Sequence, residues 1–161
     1  MIEYKTAVLV GAAMKMGAIV AKASLEDQNK IYDFGKYLGL AFQLQDDYLD
    51  AFGNPETFGK QVGGDIIENK KTYLLLKALE LSDEKQKIEL LSIYSNTDLK
   101  TNDKIIKTKR IFVKSGSSEA TKRIIAQYTR KAFAVLDSIN ISADKKEVLK
   151  QFGTSLMNRN V

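Results

Sequence analysis

The residues best suited to chemistry lie between positions 42 and 50, which read Phe-Gln-Leu-Gln-Asp-Asp-Tyr-Leu-Asp. On a helix Asp46 and Asp50 are one turn apart, about 40° around the axis, so their carboxylates share a face. Asp47 flanks the same stripe three residues before Asp50, and Gln43 extends the polar line by a turn. No Lys or Arg stands three or four residues from any of these carboxylates. They repel one another near a helix C-terminus, where the dipole already disfavours negative charge. A divalent cation would hold such a cluster together. The bland alternative is a solvated acidic face, and the apolar residues around the cluster weigh against it.

Several lysines answer the carboxylates. Lys60 follows them in a glycine-rich stretch, Lys70 and Lys71 fall in the next predicted helix, and Lys5-Thr6 opens an apolar run near the start. Each lysine taken alone is more often a surface residue than a ligand. Taken together, carboxylates that hold a metal and ammonium groups around it make a diphosphate-binding arrangement. Gly59-Lys60 lacks the spacing and the following Ser or Thr of a P-loop. Asp65 reads as a helix cap rather than a site.

Composition narrows the chemistry further. The chain has 161 residues, 25 Lys and Arg against 20 Asp and Glu, and no His or Cys. That excludes zinc sites, imidazole bases, thiol nucleophiles and Ser-His triads. Any metal must be a hard cation on oxygen, such as Mg2+. A cysteine-free sequence fits a reducing cytoplasm. Residues 1–100 carry a net charge of −3 and residues 101–161 of +8. A lysine-rich solvated face explains the basic part, and no nucleic-acid motif or aromatic interleaving supports a polyanion partner.

The elements that must position these groups all read as helical. Ala7 to Ala21 is rich in Ala, Gly and Met and reads as a buried helix whose small residues let neighbours approach closely. It is too short, and interrupted by Lys15, to span a membrane. Ala21-Lys22-Ala23 superficially resembles a signal-peptide cleavage site, but Glu3 and Lys15 argue against one. Asp27 is expected to cap a long helix to about Phe52, with Ile31, Phe34, Leu38, Ala41 and Leu49 on its apolar face. Residues 53–64 hold four glycines and the only Pro, and read as a loop. Asp65 and Glu68 resemble a capping box opening a helix to about Leu81, with Ile66, Tyr73, Leu74, Leu76 and Ala78 as its stripe. Further helices are expected at about 83–95, 102–115, 118–137 and 143–157. Gly116 reads as a C′ residue, Ser117 and Ser142 as N-caps, and Val148, Phe152 and Leu156 as a buried edge. The expected architecture is all-α, an antiparallel helical bundle formed by residues 1–161 as a single domain or part of one.

The string FQLQDDYLD, followed by GKQVGGDIIENKKTYLLLKAL, resembles the second aspartate-rich region of trans-polyprenyl diphosphate synthases. Lys5-Thr6 before an Ala/Gly-rich helix is similar to the family's Lys-Thr element, and Leu-Met-Asn-Arg near the end is similar to bacterial members' C-termini. The resemblance implies the helical isoprenoid synthase fold and a Mg2+-dependent prenyl transfer. In that reaction an allylic diphosphate ionises, isopentenyl diphosphate attacks, and a chain five carbons longer results. Carried over by residue, it implies Asp46 as a direct Mg2+ ligand, with Asp47 and Asp50 as ligands or water-mediated partners. It implies Lys5, Thr6, Gln43 and Lys60 on the allylic diphosphate, with Lys5 and Lys60 as the catalytic cations, and Lys70 beside the metal.

Family members resemble a chain about twice as long, and this sequence matches their C-terminal part. The first aspartate-rich motif and the acceptor-binding Gly-Lys and Arg set have no counterpart in the 161 residues. Met1 reads equally as an internal Met of a longer chain, a proteolytic boundary or the start of a short gene. The expectation is that this chain binds Mg2+-diphosphate, is inactive or weakly active alone, and forms a homo-oligomer that covers the apolar faces of 7–21 and 31–49. The competing expectation is a non-catalytic helical subunit or partner of a full-length synthase.

Overall fold

A computed structural model describes residues 2–54 and 62–158. Its elements are a π-turn at Glu3–Ala7, α1 (Val8–Val20), α2 (Leu25–Phe52), the single turn α3 (Gly64–Ile67), α4 (Tyr73–Leu81), α5 (Glu84–Ser95), α6 (Thr101–Lys114), α7 (Ser117–Asp137) and α8 (Ala143–Met157). The all-α reading holds, and no strand occurs among the described residues. No described helix is long and apolar enough to cross a membrane. Two compact units result, one of residues 2–45 with 124–158 and one of residues 46–123.

In the first unit, Ile31, Phe34 and Leu38 of α2 bury against Ala132 and Leu136 of α7 and against Ile139, as the helical spacing of their apolar stripe requires. Close approach of α1 to α2 depends on small residues. A Cβ on Gly35 would stand 3.1 Å from the Gly11 Cα, and one on Gly39 would stand 2.8 Å from the Ala7 Cα. That part of the expectation for 7–21 is met, but wholesale burial is not. Only Gly11 within α1 is fully buried, whereas Leu9, Met16, Ile19 and Val20 are exposed. The cap of α2 is Ser24 rather than Asp27. Ser24 Oγ accepts the Asp27 N–H (3.1 Å) and donates to Asp27 Oδ2 (2.8 Å), while Asp27 Oδ1 accepts the Asn140 N–H (3.0 Å). Those bonds, led by the one from Asn140, hold the Asp27 carboxyl below the usual carboxylate range.

Helix α8 turns a different stripe inward than expected. Val148 and Phe152 are exposed, and the packed face is Leu149, Gly153 and Leu156. Gly153 is the reason: its missing Cβ leaves room for the Phe133 ring, which such an atom would approach to 3.1 Å. Ser142 occupies the N-cap position of α8 without a side-chain bond.

The second unit is built around α6, which contacts α3, α4 and α5. Its core comprises Ala51, Ile66, Leu74, Leu75, Ala78, Leu90, Ile93, Ile111 and Phe112. Thr72 caps α4 and Asp83 caps α5, each accepting a backbone N–H three residues on (3.3 and 2.7 Å). The helix expected from Asp65 to Leu81 is therefore two helices. Gly63, at φ +88°, occupies the N-cap position of α3, and Asn69, at φ +55°, ends the turn before Thr72 starts α4. The restart shifts the register, so Leu75 is buried and Leu76 exposed. Lys70 and Lys71 lie in the connection rather than one to two turns into a helix. Gly116 has the left-handed φ (+80°) expected of a C′ residue. Ser117 is not a cap: it is buried, its hydroxyl donates to the Phe112 carbonyl (3.1 Å), and the Gly116 carbonyl accepts the first helical bond from Ala120 (2.9 Å).

Candidate functional site

The first unit brings two of the expected substrate residues together. Thr6 Oγ1 donates to Gln43 Oε1 at 2.9 Å, across 37 positions of sequence. This contact needs the close approach at Ala7 and Gly39, which seats the π-turn against α2. Lys5 lies on that π-turn with its side chain exposed. The wide turn, of a kind common at functional sites, leaves no signal in the sequence. Lys36 supports it by an ion pair with Glu3 (2.6 Å), a pair that sequence reading missed.

In the second unit Asp46, Asp47 and Asp50 are each partly buried on the last turns of α2. Asp50 is bound to the segment after the glycine-rich stretch. Its Oδ2 accepts the Asp65 N–H (2.9 Å), and its carbonyl accepts the Gly63 N–H (2.6 Å). The Asp50 carboxylate thus takes up one of the N–H groups that open α3, which have no intrahelical partner. Burial raises the Asp50 pKa above its ordinary 3.8, and Asp65 and Asp46 raise it further. The Asp65 N–H and Lys70 act in the opposite direction.

Lys70 is held by two carboxylates, Asp65 Oδ1 at 2.7 Å and Glu68 Oε2 at 3.0 Å. These pairs push its ammonium well above the usual lysine range. Asp65, expected as a cap, is instead the anchor of Lys70. Among the described residues no group of three or more carboxylates is gathered tightly enough to form a metal cage by itself. Lys60 lies outside the described residues.

These donors fit a hard cation that takes one or two carboxylates from the protein and its remaining oxygens from water and phosphate. The sequence pattern of the polyprenyl synthetase family matches residues 1–112. The chain belongs to that family. It is 37% identical over 159 residues to a short chain isoprenyl diphosphate synthase of Methanothermobacter thermautotrophicus, covering 99% of this chain and 48% of the relative. A crystal structure of a geranylgeranyl pyrophosphate synthase superposes with a TM-score of 0.88 at 45% identity, over 98% of this chain and 49% of that one. The polyprenyl synthase of Caulobacter crescentus CB15, solved with calcium and isoprenyl diphosphate, superposes with a TM-score of 0.86 at 33% identity, over 99% and 48%. The chain thus spans about half the length of the relatives it matches.

The burial of Asp50 has a measurable consequence. A carboxyl whose folded pKa is raised binds its proton more tightly folded than unfolded, so it costs stability once pH rises through that window. Asp50→Asn keeps an acceptor for the Asp65 N–H and removes the charge. Without metal, the variant is expected to melt higher than wild type at neutral pH. The difference should shrink as pH falls toward the ordinary carboxylate value of 3.8. Thermal melts from pH 3 to 8 check this, and a variant that melts lower at neutral pH counts against it.

Proposed function

We propose that this chain supplies the allylic-diphosphate half of a polyprenyl diphosphate synthase and binds that diphosphate with Mg2+. The observation that carries the reading is the half-buried Asp50, pressed by Asp46 and Asp65 with the Lys70 ammonium alongside. A hard cation relieves that repulsion, and a diphosphate gives Lys70 an anion to turn to. Asp46 is assigned as a direct ligand, and Asp47 and Asp50 as ligands or partners through water. Lys5 and Lys60 are assigned to the diphosphate as cations that stabilise its charge as it leaves. Thr6 and Gln43 orient it by hydrogen bonding. When bound, Mg2+ would supply Lewis-acid stabilisation of the departing diphosphate.

The acceptor, isopentenyl diphosphate, has no recognised site in these 161 residues. The isolated chain is therefore expected to bind the allylic substrate with little or no turnover. Leu9, Met16, Ile19 and Val20 are between 51% and 83% exposed on α1, and apolar side chains exposed together mark interaction surfaces. We assign that face to a homo-oligomer contact; the 31–49 face, expected to share it, is instead buried within the chain at Ile31, Phe34, Leu38 and Ala41. The same exposure favours the second reading, a helical subunit that docks on a full-length synthase. A cytoplasmic location and no nucleic-acid partner complete the proposal.

The test is calorimetric titration of the full chain with a non-hydrolysable allylic thiolodiphosphate, in Mg2+ and in chelator. Mg2+-dependent binding with no incorporation of labelled isopentenyl diphosphate is expected. Absence of binding in Mg2+ would overturn the enzymatic reading, and a strictly monomeric sedimentation profile at micromolar concentration would overturn the oligomer.

A further inference from the structure

Lys104, in the first turn of α6, is only 8% exposed. An ammonium is costly to bury unless its donors are satisfied. Lys104 Nζ donates to Asn69 Oδ1 (2.7 Å) and to the Ile67 carbonyl (3.3 Å), and lies 5.6 Å from the centroid of the Tyr94 ring. Among the described residues no carboxylate lies within ion-pair distance of it. Its own helix does not explain the placement, because a helix N-terminus disfavours a cation. Its bond to Ile67 does: that is one of the carbonyls the C-terminus of α3 leaves without an intrahelical partner.

The turn that Lys104 grips sets the position of Lys70. Asn69, at φ +55°, is the left-handed residue of a Schellman turn. Its N–H donates to the Ile66 carbonyl (3.2 Å), and the Lys70 N–H donates to the Asp65 carbonyl (2.9 Å). That reversal returns Lys70 over Asp65 and Glu68. Gly would adopt the left-handed conformation at less cost, but only a side chain such as that of Asn offers Lys104 an acceptor. We propose that Lys104 is a positioning residue of the diphosphate site: by pinning Asn69 and Ile67 from beneath, it aims Lys70 at the anion. This inference rests on the reading of the site as one for diphosphate.

Two measurements on the full chain test it. The first is competitive acylation of the lysines. Lys104→Met is expected to speed acylation of Lys70 severalfold, with Lys30 and Lys122 unchanged as references. The second is Mg2+-dependent binding of inorganic pyrophosphate. Lys104→Met should weaken it about tenfold in the wild-type background, a loss typical of outer-layer partners, and add nothing when Lys70 is already Ala. A purely structural role would cost affinity equally in both backgrounds and would overturn the proposal. Unchanged acylation of Lys70 overturns it whatever the binding shows. If the wild type binds no pyrophosphate, the diphosphate reading fails and acylation alone decides whether Lys104 positions Lys70. Should Lys104→Met not fold, Asn69→Gly keeps the left-handed turn, removes the Oδ1 acceptor, and is expected to give the same two results.

Discussion

Asp46→Ala is expected to weaken Mg2+-dependent binding of an allylic thiolodiphosphate by about 100-fold, ~3 kcal/mol, the scale of removing one partner from a desolvated charge contact. The loss should come without a matching loss of stability. Asp46 adds to the repulsion that raises the Asp50 pKa, so its removal relaxes Asp50 in the metal-free protein. Thermal melts without Mg2+ supply the baseline against which the effect of ligand on the variant is read. Adding Mg2+ and pyrophosphate should raise the wild-type midpoint through ligand linkage and leave that of Asp46→Ala nearly unmoved. A variant that melts far lower yet still binds would show Asp46 to be a structural residue and would remove the main ligand from the proposed site. Calorimetry and melts on the same samples separate the two outcomes.

The long helices were legible because their signals agree with one another. For α5, α6, α7 and α8 the bounds read from the sequence fall within a residue of those observed, although Ser117 is no cap and Ser142 makes no side-chain capping bond. The break between α3 and α4 was not legible, because two sets of signals compete there. Asp65 and Glu68 have capping-box spacing, which favours one helix to Leu81. Asn69 before a Lys pair, and Thr72 before Tyr-Leu-Leu-Leu, carry the opposite message of a left-handed stop and a fresh cap. The Lys104–Asn69 bond favours the break from 35 positions away, where no local pattern contains it.

Periodicity also has a limit that α8 exposes. Val148, Phe152 and Leu156 stand four apart, and Leu149, Gly153 and Leu156 four and three apart; both spacings keep one helix face, and apolarity alone favours the first set. A glycine contributes nothing to a hydrophobic count, yet Gly153 marks the contact with Phe133. The candidate site divides in the same way. The Asp46, Asp47 and Asp50 stripe follows from helical geometry alone. The family resemblance implies Thr6 and Gln43 on one diphosphate, and the hydrogen bond between them across 37 positions comes from the structure. The π-turn, the Glu3–Lys36 pair and the Asp65–Lys70–Glu68 triad came from the structure.

That long-range meeting of Thr6 and Gln43 rests on a glycine, which makes Gly39→Val the strongest test of the first unit. A Cβ at position 39 would stand 2.8 Å from the Ala7 Cα, a backbone atom that cannot rotate away, and 3.4 Å from the Ala7 Cβ. The branched side chain must therefore push the end of the π-turn and the start of α1 off α2. Overpacking of this kind costs about 1–3 kcal/mol, occasionally more, and the helix propensity regained on losing a glycine offsets under ~1 kcal/mol. A net loss of about 2 kcal/mol lowers the thermal midpoint of a chain this size by roughly 4–8 °C. Gly17→Ala is the matched control: nothing lies within 4 Å of its added Cβ, so the same class of change should gain ~0.5–1 kcal/mol through propensity alone. Opposite signs at two glycines 22 positions apart would separate packing from propensity. The displacement also reaches the site, because Ala7 closes the π-turn that carries Lys5 and Thr6. Gly39→Val should therefore weaken diphosphate binding at temperatures where it is still fully folded, while Gly17→Ala leaves binding alone. Equal thermal midpoints for the two variants would show that α1 and α2 do not need this close contact.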